Sequence, residues 1–318
     1  MPTRREFLRL SAAAAAGAAV LGGPGWARGD EDRKKALERP LPLRDLGRTG
    51  ISVSCVGLGC FYLGTLRDEA QAVAVVRRAL DLGVTWFDTA PSYNRGASEE
   101  RVGKGLGGAR ARVSIATKST QRKGPAARAE LEESLRRLAT DRVDLFQFHA
   151  LRTQEDVRET FGEGGAFEAL EKARKEGKVR HLGCTGHFDP ALMAAICRER
   201  PVETVLVPLN ALDPHEKSFV EGTLPAAVGR GIGVIAMKVF ASGKLVADPV
   251  LSPSPAECLR YTLSLPVSAA IVGCSTVDEL ETDLALAKTF VPMTAEEKAA
   301  LLGRTRAFVE KRIEWYKQ

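Results

Sequence analysis

The 318-residue chain has six cysteines but no Cys-x-x-Cys pair, and no His-x-x-x-His accompanies them. That spacing supports neither a zinc nor an iron–sulfur site, so Cys55, Cys60, Cys184, Cys197, Cys258 and Cys274 read as core thiols. There is no dense basic block either. A net charge of +6 is modest for this length and argues against a nucleic-acid partner. No run is long and apolar enough to cross a bilayer, which takes about 20 residues; the stretch from Ser11 to Gly23 is short and dominated by alanine. What remains is an ordinary globular composition, 44% hydrophobic and 27% charged, which excludes disorder and collagen and provides for a large core.

Residues 1–27 read as an address. Thr3-Arg4-Arg5-Glu6-Phe7-Leu8-Arg9 precedes the alanine-rich stretch, and Gly25-Trp26-Ala27 supplies small residues for a cut. The pattern resembles a twin-arginine export signal, which implies the twin-arginine machinery as a partner and a periplasmic or otherwise exported protein. A short N-terminal helix and a membrane anchor are the alternatives. No cysteine stands near the proposed cut, which argues against a lipid anchor. Arg4, Arg5 and Arg9 against Glu6 amount to +2, leaving +4 for residues 28–318. Residues 28–40 read as a charged linker and 41–318 as a single domain.

That domain opens with a hairpin turning at glycine, Leu43 to Val53. Short runs rich in β-branched or aromatic residues then alternate with longer segments of helical period. The runs are Val53 to Leu58, Val84 to Phe87, Val113 to Ala116, Val143 to Phe148, Val179 to Gly183, Thr204 to Val207, Ile232 to Met237 and Ala269 to Val272. Helical patterns between and after them include Glu69 to Leu82, Ala126 to Leu138, Phe167 to Gly177, Pro190 to Arg200 and Val277 to Ala287. Eight such units predict an α/β fold, a (β/α)8 TIM barrel, with an open doubly wound sheet as the alternative. The open sheet would place a glycine-rich turn after its first strand, and none stands there. Gly103-x-Gly105-x-x-Gly108 does match the dinucleotide fingerprint literally. It is preceded by the start of a helix rather than by a strand, so it is a decoy.

In a barrel of this kind the residues just past each strand form the active site. Asp88 follows the second run, Lys118 the third and His149 the fourth, and Tyr93 lies five residues beyond Asp88 in a loop long enough to fold back. Each has an ordinary reading: a cap, a solvated strand end, a satisfied rim histidine, a packed loop tyrosine. Together they form a proton-donating device. A phenol donates poorly at neutral pH, a nearby ammonium favours its phenolate, a carboxylate keeps the ammonium charged and aimed, and a neutral imidazole orients a carbonyl oxygen.

With these residues the chain resembles the aldo-keto reductases over nearly all of 41–318. Leu46-Gly47-Arg48-Thr49-Gly50, Val56-Gly57-Leu58-Gly59, Phe87-Asp88-Thr89-Ala90-x-x-Tyr93, Ser98-Glu99-x-x-Val102-Gly103, Ala116-Thr117-Lys118 and Phe148-His149 carry the resemblance. It implies an oxidoreductase that passes hydride from a nicotinamide, NADP by family habit with NAD possible, to a small aldehyde or ketone. Asp88, Tyr93, Lys118 and His149 would then be the catalytic set and Tyr93 the general acid. A non-catalytic nucleotide- or sugar-binding barrel that retains these residues is the alternative.

The cofactor positions match less closely. Many relatives hold the carboxamide with a Ser-Asn pair after the fifth strand and a glutamine on the sixth. Here Thr185 replaces the serine, Gly186 stands for the asparagine and Leu206 for the glutamine, with His187 or Asn210 as substitutes. Met237-Lys238-Val239-Phe240 begins a segment, ending at Lys244, that resembles the loop crossing the pyrophosphate. Gly273, Ser275 and Thr276 open the eighth helix, whose N-terminus suits a phosphate or an N-cap. Glu279 stands where relatives selecting a 2′-phosphate often carry a basic residue. The loop from Arg152 to Phe161, the loop after the seventh strand and the segment around Trp315 are where substrate specificity is expected.

Overall fold

The computed structural model describes residues 29–247 and 252–318, so the proposed export signal, 1–27, lies outside the described residues. Eight parallel strands close into a barrel: β3 (Val56–Gly59), β4 (Trp86–Asp88), β5 (Ser114–Ser119), β6 (Val143–Phe148), β7 (Val179–Thr185), β8 (Thr204–Pro208), β9 (Gly233–Met237) and β10 (Ala269–Gly273), with β10 pairing back to β3. This is the (β/α)8 fold that the alternation of runs predicts. A strand in such a barrel is covered on both faces. That is why the runs read as continuously apolar rather than alternating.

Inward residues fill the lumen in layers, and Trp86, Ala116, Leu145, Leu206, Ile235, Ala269 and Ile271 form one buried cluster. The hairpin of β1 (Leu43–Asp45) and β2 (Ser52–Ser54) closes the bottom, adding Leu46, Ile51 and Val53 to the same cluster. The run Val53 to Leu58 is therefore not one strand. It divides at Cys55, whose N–H donates to Pro42 O at 2.8 Å, and its first half belongs to the hairpin. Gly47 sits at φ +57°, and a side chain there would overlap the backbone of Gly233, so glycine is required for the hairpin to seat.

Around the barrel run α1 (Gly29–Leu37), α2 (Phe61–Thr65), α3 (Glu69–Asp81), α4 (Ala97–Leu106), α5 (Gly124–Arg137), α6 (Gln154–Phe161), α7 (Ala166–Lys175), α8 (Pro190–Glu199), α9 (Thr223–Gly229), α10 (Pro255–Leu263), α11 (Val277–Lys288) and α12 (Ala295–Thr305). The segment expected as a charged linker is largely α1. Its buried Ala36, the ion pair of Arg33 with Asp278 at 2.6 Å and the donation from Lys288 Nζ to Leu37 O at 2.8 Å dock it on α11. Three acids in its first turn and two lysines in its last suit the helix dipole, which explains both the charge density and the helix. Two of the three fingerprint glycines prove to be packing residues, while Gly108 faces open space. Gly103 and Gly105 lie within α4, where a side chain would strike the backbone of Leu138 and the side chain of Val76.

Candidate active site

Register brings the rim residues together. Asp88 pairs with Ala116 and Lys118 with Gln147, so on adjacent parallel strands Asp88, Lys118, Gln147 and then His149 face one space above the apolar lumen. Lys118 Nζ donates to Asp88 Oδ1 at 2.6 Å and to Thr89 O at 2.7 Å, and Gln147 Nε2 donates to Asp88 Oδ2 at 3.2 Å. Asp88, Lys118 and Gln147 are all buried. An unpaired ion there would cost several kcal/mol, which the paired geometry offsets.

Tyr93 reaches this pair through a strained loop. Asn94, Arg95 and Gly96 have φ of 52°, 56° and 89°, three left-handed residues in succession, and a side chain at Gly96 would collide with Arg137. Both ends are pinned. Tyr93 N–H donates to Ala90 O at 3.0 Å, and Ser98 Oγ donates to Cys60 O while bonding Thr89 Oγ1, each at 2.8 Å. The tyrosine ring centroid lies 4.8 Å from Lys118 Nζ, 6.1 Å from the His149 ring and 5.3 Å from the half-exposed Phe61 ring.

Burial pushes the Tyr93 phenol above its ordinary pKa, Lys118 pulls it down and Asp88 adds to the rise; the balance is upward. This corrects the simple expectation of a lowered value. Desolvation of a phenolate outweighs one ammonium that is itself shared with a carboxylate, so the resting tyrosine keeps its proton. Burial alone would lower Lys118, but Asp88 and then Tyr93 hold it above its usual value, so it is an ammonium. Burial, reinforced by Lys118, His187 and Arg122, brings His149 down to about 3, and His187 falls to about 4 by burial with Lys238 and Arg152. Both imidazoles are neutral across the physiological range.

On the other side of the rim, Thr185 is buried and its hydroxyl oxygen accepts from Ala150 N–H at 2.8 Å, leaving its proton to donate. Gly186 has no room for a side chain, because a Cβ would meet Met193 Sδ, and Leu206 is a buried lumen residue. Asn210 is committed. Its Nδ2 donates to Tyr316 Oη at 3.0 Å, to Lys238 O at 3.2 Å and to Glu314 Oε1 at 3.3 Å, while its Oδ1 accepts from Leu212 and Asp213 N–H. His187 lies edge-on to Tyr316, ring centroids 6.3 Å apart. Met237 packs against the lumen cluster, Phe240 is buried, and Lys238, at φ 60°, holds its ammonium over Trp315 and Tyr316 at 5.5 and 5.6 Å.

Gly273 is packed under the Tyr62 ring. Ser275 N–H donates to Glu279 Oε2 at 2.7 Å, and Thr276 Oγ1 accepts from Glu279 N–H at 3.2 Å, so this helix start is capped from within. The donor chemistry thus fits a nicotinamide and a pyrophosphate, through Thr185 and Lys238. At the N-terminus of α11 the basic side chain present, Arg33, is already paired with Asp278 at 2.6 Å.

Gln147 was missing from the rim set read in the sequence. Its signal was legible: it stands two residues before His149 on a strand and so shares its inward face, a polar side chain among apolar ones. Tyr316 gave no such signal, since only the tertiary path of the tail brings it to Asn210.

The fold and this constellation define a barrel oxidoreductase with a buried carboxylate–ammonium pair beneath a tyrosine. A family model for the aldo/keto reductase family matches residues 56–256. The chain is 30% identical to an L-galactose dehydrogenase of Arabidopsis thaliana, over 86% of this chain and 97% of that protein. It is 25% identical to an oxidoreductase of Bacillus subtilis, over 84% and 98%. Among solved structures it is similar to the holo form of an aldo-keto reductase from Bacillus halodurans, with a TM-score of 0.72 and 26% identity, covering 83% and 96% of the two chains. An aldo-keto reductase from Klebsiella pneumoniae in complex with NADPH shares the fold at a TM-score of 0.69 and 24% identity, over 84% and 95%. The chain belongs to the aldo/keto reductase family.

Proposed function

We propose that the protein is an exported NAD(P)H-dependent reductase of aldehydes or ketones in which Tyr93 protonates the carbonyl oxygen. When bound, the reduced nicotinamide supplies the hydride. Every other part belongs to the chain. A protonated Tyr93 and a neutral His149 aim donors at one oxygen, and the Lys118 ammonium stabilises the phenolate that proton transfer leaves behind. Asp88, held by Gln147, keeps that ammonium in place and charged. Thr185 offers its hydroxyl to the carboxamide and Lys238 its ammonium to the pyrophosphate. The observation that carries the reading is the buried 2.6 Å Lys118–Asp88 pair with the Tyr93 ring 4.8 Å above the ammonium. A merely structural ion pair would not need a tyrosine held over it by three left-handed residues.

Replacing Tyr93 with Phe tests it. We expect kcat to fall by at least about two orders of magnitude with nucleotide affinity retained, the scale for removing a positioned acid. Near-normal turnover would remove Tyr93 from the mechanism. The export reading rests on Arg4-Arg5 and the alanine-rich stretch after them. Support comes from six cysteines that are all buried in the core, as suits cargo that folds before it crosses a membrane.

A further inference from the structure

Phe188, next to His187 in the loop after β7, is flanked by two cations. The Arg152 guanidinium lies 4.3 Å from its ring centroid and the Lys217 ammonium 5.9 Å. Both residues are exposed, and among the described residues neither side chain has a carboxylate partner; Lys217 Nζ donates only to Lys317 O, at 3.1 Å. Arg122 stands behind them. Its Nε donates to Asp156 at 3.0 Å and its Nη2 to the carbonyls of His149 and Ala150 at 2.9 and 3.2 Å, while its Nη1 is buried with no partner among the described residues.

Three of the acids nearby are already engaged. Asp88 serves Lys118 and Gln147; Asp156 serves Arg122 and the backbone N–H groups of Arg152 and Thr153; Glu314 serves Lys317, Tyr316 and Asn210. Positive charge is left over around Phe188, beside His187, whose imidazole in turn neighbours His149. A guanidinium held over an aromatic face by cation–π attraction need not spend its N–H groups there, and those groups form the fork that binds an oxyanion in two places.

We propose that the substrate carries an oxyanion, a carboxylate or a phosphate, at some distance from its carbonyl, and that Arg152 selects it. This deepens the reductase reading and rests on it. Arg152 and Lys217 rise from the loops after β6 and β8, on either side of His187. Lys238, after β9, stands on the side assigned to the nucleotide, so the surplus around Phe188 is available to the substrate.

The test compares kcat/KM within two matched pairs, butanal against succinic semialdehyde and glyceraldehyde against glyceraldehyde 3-phosphate. Wild type, Arg152→Gln and Arg152→Lys are measured at several salt concentrations, and the affinity of each for NADPH is titrated. The expected result is a preference of at least tenfold for the anionic member of one pair, which tells carboxylate from phosphate. Arg152→Gln should shrink that preference at least tenfold through KM, Arg152→Lys should keep part of it, and added salt should weaken it. Equal rates within both pairs would overturn the proposal. So would a preference indifferent to Arg152, or an Arg152→Gln loss confined to nucleotide binding.

Calorimetry with 4-hydroxybutyrate and glycerol 3-phosphate separates the two readings. If no aldehyde is reduced yet one of these anions binds in an Arg152-dependent way, the anion site stands and the reductase reading falls. If the neutral aldehydes are reduced and neither anion binds, the reverse holds; if nothing is reduced and nothing binds, both fall.

Discussion

Glu279 shows how one side chain sets a preference. Its buried carboxylate accepts from Ser275 N–H at 2.7 Å, at the helix start where a 2′-phosphate would otherwise find free donors. The helix dipole favours an anion there by about 0.3 to 1 kcal/mol, and a carboxylate already in place offsets much of that for a second anion. We expect the affinities for NADPH and NADH to differ by no more than about tenfold, one decade being about 1.4 kcal/mol. Titrating both nucleotides at one salt concentration checks this. A far larger preference for NADPH would mean that Lys238 or Lys244 reaches the phosphate. The same scale shows what spacing conveys: Asp88, Lys118 and His149 were legible because each ends a strand, whereas the upward balance at Tyr93 depends on how deeply the phenol is buried.

Among elements, the C-terminal segment after α12 is the one whose role depends most on contacts remote in sequence. Lys317 Nζ donates to the buried Asp213 Oδ1 at 2.7 Å and to Glu216 O at 2.9 Å, and pairs with Glu314 at 2.8 Å. That anchor sets Tyr316 against Asn210 and half-exposed Trp315 beside Lys238. Burial already pushes Asp213 upward, with Lys317 opposing it. Lys317→Met should therefore cost about 3 kcal/mol, the usual scale for leaving one partner of a buried pair alone. Denaturant unfolding measures it. The double variant Lys317→Met with Asp213→Asn should lose less than the two single losses combined, and simple additivity would mean the pair is not coupled. Glu132 on α5 shows local and remote pairing together: it pairs with Arg128 one turn before it and with Lys178, the residue just before β7.

For the whole molecule the question is where it works. Burial raises five of its thiols, Cys55 to about 11, Cys197 to about 12 and Cys60, Cys184 and Cys258 also upward, so at neutral pH these five stay protonated inside the core. Thiols sealed in the core are what the export proposal needs, since cargo of the twin-arginine route folds before it crosses. Exchanging Arg4 and Arg5 for lysines should retain the precursor in the cytoplasm, because the paired arginines are what the export receptor reads. Cell fractionation decides it: a processed form still appearing beyond the inner membrane would refute the assignment.

The order and apolarity of eight runs were enough to determine the barrel, since parallel strands covered on both faces can be satisfied in few other ways, and strand ends in series determined the rim set. Local pattern stopped at three places, each for a physical reason. Val53 joined the hairpin rather than the barrel because Cys55 bonds Pro42 across the chain. Residues 29–37 became a docked helix because α11 offers Asp278, 245 residues from Arg33. Asn210 was withdrawn from the nucleotide because Tyr316, 106 residues away, takes its amide. Hydrogen bonds and ion pairs between residues so far apart carry no periodic signal, so only the tertiary structure could decide them.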